Sequence, residues 1–458
     1  MNQSYSDFLQ TKKPKSQFTG ISKIPALNPL LKDFQADVVE FSLRAGGCAN
    51  FSDTGLGKTF MQLEWANVVN KHTNKPSLIL TPLAVSAQTQ REATKFGIEA
   101  KCVRNDDDII NGINIINYES MHKLDLSKFG SVVLDESSIL KSFTGITTRK
   151  LINSFADFQW KMAATATPAP NDHMELGQHC EFLSKMDSSE MLMRWFIADQ
   201  SQMGRYRLKG HAVKSYWEWV ASWARCIGKP SDLGYSDDGY ILPELITEKH
   251  IIQADLSEAA DGNLFRMPEM SATSIHKEKR ITCEARADRV RELVAKKPNE
   301  TWTIWCDTDY EADELLRQIP QAIDVRGSMS ADEKEAKLVA FSTGQQKIII
   351  TKPSVAGFGL NWQHCNNVAF IGLSFSYEAY YQAIRRSWRF GQTKPVNCHL
   401  VMADTESAIL NAIERKKVDH ETMKAEMFSA MKRASKPALV KHEYIGAMTP
   451  TLPKFLGA

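Results

Sequence analysis

The segment at residues 50–60, NFSDTGLGKTF, contains residue types that cradle phosphate groups. Gly55 and Gly57 can adopt backbone angles closed to other residues, so consecutive N–H groups can point at a phosphate. Lys58 then supplies a positive charge to the terminal phosphates, and Thr59 offers a hydroxyl to Mg²⁺. Ser52 replaces the first glycine of the usual phosphate-loop pattern. The segment alone therefore leaves open whether the loop binds anything.

Two acidic residues, Asp135 and Glu136, end the apolar run VVLDE further along the chain. A carboxylate at the position of Asp135 holds Mg²⁺ in nucleotide hydrolases, and the next carboxylate orients and deprotonates the attacking water. A strand that ends in two acids is common in α/β proteins. The order of the two segments, phosphate loop first, makes the combination specific.

The elements that must position these residues form two alternating α/β halves. In the first half, GGCANF, PSLILTP, GINIINYE, SVVLDE and WKMAATATP are predicted strands, and TFMQLEWANVVNKH has helical spacing. In the second half, the predicted strands are TWTIWCD, AIDVRG, KIIITK, NNVAFIGL and VNCHLVMA. The segment at residues 406–435, ESAILNAIERKKVDHETMKAEMFSAMKRAS, has a helical pattern. We therefore expect an α/β fold of two lobes with parallel sheets, a mostly helical insert between them and a helical C-terminus.

The segment between the halves is rich in tryptophan and arginine. Arg205, Arg207 and Lys209 alternate, so on a strand they would share one face. They are candidate contacts to DNA phosphates, and the alternative is a solvated rim. Trp219 and Trp223 lie on the aromatic side of a predicted helix and are expected in the core.

Composition narrows the class of protein without identifying a partner. The 56 basic and 54 acidic residues give a net charge of +2, so any nucleic-acid site must be a local patch. The eight cysteines include no C-x-x-C pair, which disfavours a zinc ribbon or a disulfide framework. The sequence shows no apolar run of membrane-spanning length and no signal peptide, so we expect a cytoplasmic protein without a membrane partner.

The ordered motifs resemble those of superfamily 2 helicases of the Snf2-like branch, including the compact versions encoded by bacteriophages. LKDFQ resembles the Q-motif that reads adenine, and DTGLGKT resembles motif I, in which Snf2-like proteins also lack the first glycine. The resemblance implies a working cradle for ATP and Mg²⁺. Its ATP-binding residues would be Gln35, Thr54, Gly55, Leu56, Gly57, Lys58 and Thr59, with Thr59 and Asp135 on the metal.

Further motifs extend the resemblance across residues 31–400. LILTPLAV and INYES resemble motifs Ia and Ib, and DESSILK resembles motif II. ATATPAPND, SVAGFGLNW and QAIRRSWRFGQ resemble motifs III, V and VI. The resemblance implies catalytic roles for Lys58, Glu136, Arg386 and Arg389, coupling roles for Thr165, Thr167, Gly357, Gly359 and Gln382, and DNA contacts at Thr81, Pro82, Asn117, Tyr118, Asn361 and Trp362. Arg385 departs from motif VI, where an acidic residue or glycine is usual.

The resemblance predicts an N-terminal extension at 1–30, a first RecA-like lobe at 31–170, an insert at 171–242, a second lobe at 243–425 and a C-terminal helix and tail at 426–458. The predicted function is ATP-dependent translocation on duplex or branched DNA, by a protein that is a monomer when free, in phage replication, recombination or repair. Two alternatives are an ATP-gated DNA clamp with incidental hydrolysis and an RNA helicase.

Overall fold

The structure is a computed structural model that describes residues 18–198, 206–254, 272–356 and 361–435. Of the residues singled out by the sequence, Arg205, Gly357 and Gly359 lie outside the described residues, as does the predicted tail from residue 436. The described part contains two parallel sheets with helices packed on them. This arrangement confirms the predicted fold class of two α/β lobes.

Strands and helices are numbered in chain order. The strands are β1 Gly47–Ser52, β2 Ser77–Thr81, β3 Ala100–Cys102, β4 Ile113–Asn117, β5 Ser131–Asp135, β6 Trp160–Ala164, β7 Phe196–Ala198, β8 Tyr206–Leu208, β9 Ala224–Ile227, β10 Leu245–Ile252, β11 Trp302–Trp305, β12 Ile323–Val325, β13 Ile348–Thr351, β14 Asn367–Phe370 and β15 Val396–Ala403. The α-helices are α1 Asp33–Ala45, α2 Lys58–Thr73, α3 Ser86–Lys95, α4 Ile146–Ser154, α5 Leu176–Phe182, α6 Ser188–Trp195, α7 Val213–Trp223, α8 Ala272–Ile281, α9 Cys283–Lys296, α10 Asp309–Gln318, α11 Ala331–Ser342, α12 Pro353–Ala356, α13 Tyr377–Ser387 and α14 Ser407–Ser435. Short 3₁₀ helices cover Leu83–Val85, Asp106–Asp108, Tyr118–Lys123, Leu126–Lys128, Ser137–Lys141, His173–Glu175, Gly210–Ala212, Pro230–Leu233 and Asp404–Glu406.

The first lobe is built on a sheet with the strand order β3-β4-β2-β5-β6-β1-β9. Strands β1, β2 and β6 are buried along their whole length, as expected where helices cover both faces of a parallel sheet. Asn50 of β1 and Asp135 of β5 are both level with Ala164 of β6. The loops that follow β1 and β5 therefore begin at the same edge of the sheet.

The second lobe contains a sheet with the order β10-β15-β14-β11-β13-β12, again parallel throughout. Apolar residues are packed on both faces of each sheet. All ten segments predicted as strands are strands in the structure. The strands that were not predicted are β3, β7, β8, β9 and β10.

The segment at 171–242 was predicted as an insert between the lobes, but its end is part of the first sheet. β9 pairs in parallel with β1, and Ala224 lies beside Ala49. Trp219 and Trp223 of α7 are buried in the core of this lobe, as predicted. The short strands β7 and β8 form an antiparallel pair that places Arg207 opposite Ile197. The chain therefore completes the first lobe at β9 before it enters the second.

The C-terminal helix α14 leaves the second lobe and returns to the first. Met423, Met427 and Met431 are buried in the same core as the tryptophans of α7. The helix crosses the boundary predicted at residue 425 without interruption. Its first turns, with Ile409 and Ile413, are packed in the core of the second lobe, so the helix joins the cores of both lobes. Within the described ranges, no helix has both the length and the apolar character needed to cross a lipid bilayer.

Candidate functional site

The phosphate-loop segment connects β1 to α2, as the motif requires. Gly55 and Gly57 have φ angles of +93° and +81°, which residues other than glycine rarely adopt. Lys58 is the first residue of α2, and its Nζ donates a hydrogen bond to the Ser52 carbonyl oxygen at 2.8 Å. Burial lowers the pKa of Lys58 to about 8, although Glu136 and other acids oppose this shift. The loop thus has the backbone form and the cation of a phosphate cradle.

The two acids lie beside this loop, at the end of β5. Asp135 Oδ1 accepts a hydrogen bond from Gln62 Nε2 at 3.0 Å, and burial raises the pKa of Asp135. Glu136 has a φ of +62°, an uncommon conformation for a residue with a side chain. Burial raises the pKa of Glu136 to about 7, against the opposing effects of Lys58 and a hydrogen bond from Thr165 Oγ1. A carboxyl group with a pKa near 7 suits a general base.

The donor set around the loop fits Mg²⁺. Thr59 and Asp135 both line the same cleft and offer a hydroxyl and a carboxylate oxygen, the ligand type that this cation prefers. Burial disfavours the charged forms of Asp135 and Glu136, and a dication would offset that cost. The predicted metal ligands therefore have suitable chemistry and location.

The second lobe contributes α13 and the turn that follows it. Arg386 Nη2 and Nε each donate a hydrogen bond to Gln382, at 3.1 Å. Burial, followed by repulsion from Arg389, lowers the pKa of Arg386 to about 9. Burial, followed by repulsion from Arg385, lowers the pKa of Arg389 to about 10. A group of cations crowded in this way attracts an anion such as a triphosphate.

One open cleft with a volume of about 430 Å³ brings these groups together. The predicted site residues that line it are Gln35, Thr54, Gly55, Gly57, Lys58, Thr59, Pro82, Asp135, Glu136, Asn361, Gln382, Arg386 and Arg389. They come from both lobes. The cleft therefore contains the cradle, the two acids and the arginines in one space.

Three predicted residues adjoin the cleft through internal hydrogen bonds. Gln35 accepts from the Lys32 N–H and donates to the Leu56 carbonyl oxygen, both at 2.9 Å, so its amide holds the phosphate loop. Thr165 donates to Glu136, and the Thr167 N–H donates to Thr165 Oγ1 at 3.0 Å. A path of hydrogen bonds thus connects the segment after β6 to the general-base candidate.

Several predicted DNA contacts have other surroundings. Thr81 and Trp362 are fully buried, and their polar atoms bond to Ser86 and Ser342. Because both side chains are packed in the interior, burial contradicts the prediction that they touch DNA. Pro82 and Asn361 line the cleft instead.

The remaining DNA candidates are divided between structural and exposed positions. The Asn117 side chain accepts from the Ser120 N–H at 2.8 Å, and the Tyr118 hydroxyl donates to the Asp135 carbonyl oxygen at 2.7 Å. Lys209 Nζ donates to two carbonyl oxygens at the end of α6, so its charge stabilises that helix terminus. Arg207 is exposed.

Sequence reasoning missed several residues at the cleft and between the lobes. Tyr240 and Phe390 line the cleft with ring centroids 4.9 Å apart. Asp53, Tyr381 and Lys424 form a charged cluster beside the phosphate loop. Only the unusual Arg385, which contacts this cluster, gave a signal in the sequence.

Across the described residues, the group closest to a metal-ligand arrangement outside the cleft is Glu248, His250 and His399, on β10 and β15. Arg289 Nη2 lies 3.3 Å from His250 Nδ1 and can only donate, so the proton of this imidazole is on Nε2. That proton points at His399 Nδ1, 3.1 Å away. The two imidazoles hydrogen-bond to each other, and the exposed Glu248 carboxylate lies 3.7 Å from His250 Nε2 and 3.4 Å from His399 Nδ1.

Comparison with known proteins supports a helicase relationship. Residues 285–391 match the family described as helicase conserved C-terminal domain. The SWI/SNF-related matrix-associated actin-dependent regulator of chromatin subfamily A-like protein 1 of Xenopus tropicalis is 22% identical over 411 residues, which is 81% of this chain and 42% of that protein. Its Xenopus laevis counterpart is 21% identical over 410 residues, with the same coverage. This chain spans about two fifths of the length of these relatives.

A solved structure of the Sulfolobus solfataricus SWI2/SNF2 ATPase core in complex with dsDNA is 17% identical. It aligns with 89% of this chain and 95% of its own, at a TM-score of 0.42. Residues 285–391 are therefore similar to a helicase C-terminal domain, and most of the chain is similar to part of proteins named as SWI/SNF-related regulators of chromatin.

Proposed function

We propose that this chain is an ATP-dependent DNA translocase. The observation that carries the proposal is the cleft to which the phosphate loop, the two acids and the arginines contribute from opposite lobes. Nucleotide in such a cleft contacts both lobes, so its hydrolysis changes how they hold each other. A motor requires this coupling.

The residues divide the chemistry among them. Lys58 and the N–H groups of the loop bind the phosphates, and Glu136 orients and deprotonates the attacking water. Arg386 and Arg389 stabilise charge on the transferred phosphoryl group. Mg²⁺ held by Thr59 and Asp135 would neutralise phosphate charge.

DNA is the proposed track because the curated relatives are named as regulators of chromatin, whose nucleic acid is duplex DNA. Because we propose movement along a duplex and not processive unwinding, the specific activities that we propose are fork remodelling and branch migration. A phage origin stays a prediction from the sequence resemblance.

The test measures ATP hydrolysis alone and with linear duplex, single-stranded, forked and Holliday-junction DNA, and with RNA. We expect duplex or branched DNA to stimulate hydrolysis most. Lys58→Ala should abolish hydrolysis, and Glu136→Gln should retain bound ATP without turnover. Displacement of a third strand from a triplex distinguishes a translocase from a clamp. Hydrolysis without displacement would favour the clamp, and stimulation by RNA alone would favour an RNA helicase.

A further inference from the structure

One face of α13 is docked on the first lobe. Four of its side chains, at positions i, i+3, i+4 and i+7, face that lobe, which is the spacing of a single helix stripe. They are Glu378, Tyr381, Gln382 and Arg385. At one end, Glu378 Oε2 lies 2.6 Å from Lys141 Nζ. At the other, Arg385 Nη2 donates to the Thr54 carbonyl oxygen at 2.8 Å.

The Arg385 end of this stripe joins a cluster of charges around Asp53. Asp53 Oδ1 lies 3.1 Å from Arg385 Nη2, and Asp53 Oδ2 lies 3.1 Å from Lys424 Nζ. The Tyr381 hydroxyl also donates to Asp53. The side chains of Asp53, Arg385 and Lys424 are 12%, 5% and 13% exposed, so water screens these contacts little. We call these four residues the Asp53 cluster.

Electrostatics hold the cluster in its charged form. Burial alone would raise the pKa of Asp53, but Arg385 and Lys424 outweigh burial and hold that pKa well below its usual range. Burial would likewise lower the pKa values of Arg385 and Lys424, but Asp53 outweighs it and both are raised. Removal of Asp53 would leave two buried cations without a counter-charge, and removal of Arg385 or Lys424 takes away one of the two cations that hold Asp53.

The members of the cluster come from three separate parts of the fold. Asp53 precedes the phosphate loop, Arg385 and Tyr381 lie on α13 of the second lobe, and Lys424 lies on α14, which is packed on α7 and β9. Arg386 and Arg389 are among the residues that line the nucleotide cleft, whereas Arg385 is turned towards Asp53 and Thr54. Arg385, the unusual arginine of motif VI, therefore contacts the first lobe, whereas Arg386 and Arg389 line the cleft.

We propose that the Asp53 cluster is a latch that holds the two lobes together around the cleft before nucleotide binds. The latch itself is inferred from the contacts alone, whereas its effect on ATP binding rests on the proposed ATPase function. Arg385 is a positioning residue that acts through Asp53. Through Lys424, α14 also helps to hold the lobes closed. A cleft that is already closed binds ATP without first shifting a conformational equilibrium.

The test compares Lys424→Met and Arg385→Gln with the control Lys417→Met. Lys417 lies on the same helix, and its side chain is 55% exposed. Its ion pair with Glu421 is long, at 4.0 Å. Small-angle X-ray scattering without ATP or DNA measures the separation of the lobes. We expect a larger radius of gyration for both latch variants and no change for the control. Thermal unfolding and the conservative Lys424→Arg variant, which should restore closure, separate an opened latch from a misfolded chain.

Steady-state ATP hydrolysis provides a second readout. If the closed fraction falls to about a tenth, KM for ATP should rise roughly tenfold with kcat retained at saturation. The double variant should resemble either single variant, because both act through Asp53. An unchanged radius of gyration in both variants would overturn the latch. A loss of kcat at constant KM in Arg385→Gln would instead make Arg385 a phosphate ligand. Because the scattering needs no hydrolysis, an inactive wild-type protein would refute the ATPase proposal and leave the latch tested.

Discussion

Replacement of Arg386 with methionine is expected to lower ATP turnover and to leave the stability of the fold nearly unchanged. The residue is 4% exposed, and burial, followed by Arg389, lowers its pKa from 12.5 to about 9. At 1.36 kcal/mol per pKa unit, this shift means that keeping the charge inside the fold costs on the order of 5 kcal/mol. The two hydrogen bonds from this charged group to Gln382 together contribute roughly 3–6 kcal/mol, so we expect their loss to offset the gain from removing the buried charge almost completely.

Calorimetry and a steady-state ATPase assay measure the two effects. Because the two contributions nearly cancel, we expect the unfolding midpoint to shift by no more than roughly 4 °C, which corresponds to about 1 kcal/mol in a lobe of this size. Turnover should fall by about 10³-fold, with ATP affinity much less affected, because the contact matters most in the transition state. Arg289→Met is the control, since Arg289 lies on α9 of the second lobe, pairs with Glu292 and is not among the residues that line the cleft. A lower melting temperature together with lost turnover would identify Arg386 as structural and refute this reasoning.

Three further predictions concern proton transfer, DNA contact and packing. The kcat/KM for ATP should rise with pH through about 7, because burial raises the pKa of Glu136 to about 7 and the base must be ionised; Thr165→Val removes a hydrogen bond that lowers this pKa and should move the rise to higher pH. A flat profile between about pH 6 and pH 8 would argue against Glu136 as the base. Arg207→Ala should reduce the steepness of the plot of log DNA-binding constant against log salt concentration by about 1, the contribution of one phosphate contact. An unchanged slope would make Arg207 part of a solvated rim. Met427→Ala should lower the free energy of unfolding by about 2–5 kcal/mol in urea titrations, while the exposed Val418→Ala should have almost no effect; equal effects would contradict the packing of α14 on the first lobe.

Features encoded by short-range spacing could be predicted from the sequence. The cradle depends on glycines two residues apart followed by Lys58, all within one turn between a strand and a helix. Asp135 and Glu136 follow an apolar run whose only stable location is the interior of a sheet. Because parallel strands end at a common edge, the order of the motifs placed both sets of residues near each other.

Features that depend on distant packing could not be predicted. Asp53 and Lys424 are separated by 371 residues and belong to no common pattern. β9 is only four residues long and follows an aromatic helix, so its place in the first sheet is decided by pairing with β1. Thr81 and Trp362 lie in motif positions yet point into the core, which residue type alone does not reveal.

The return of α14 to the first lobe has a consequence for synthesis on the ribosome. The first sheet is complete once β9 has emerged, but the apolar surface that receives Met427 and Met431 must wait for residues near 435. At about 5–20 residues per second, the interval is roughly 10–40 s. During that time the tryptophan-bearing helix α7 lacks its partner, and the nascent chain exposes a surface suited to chaperones or to aggregation. The final helix thus makes the whole chain, and not each lobe, the unit that reaches the native state.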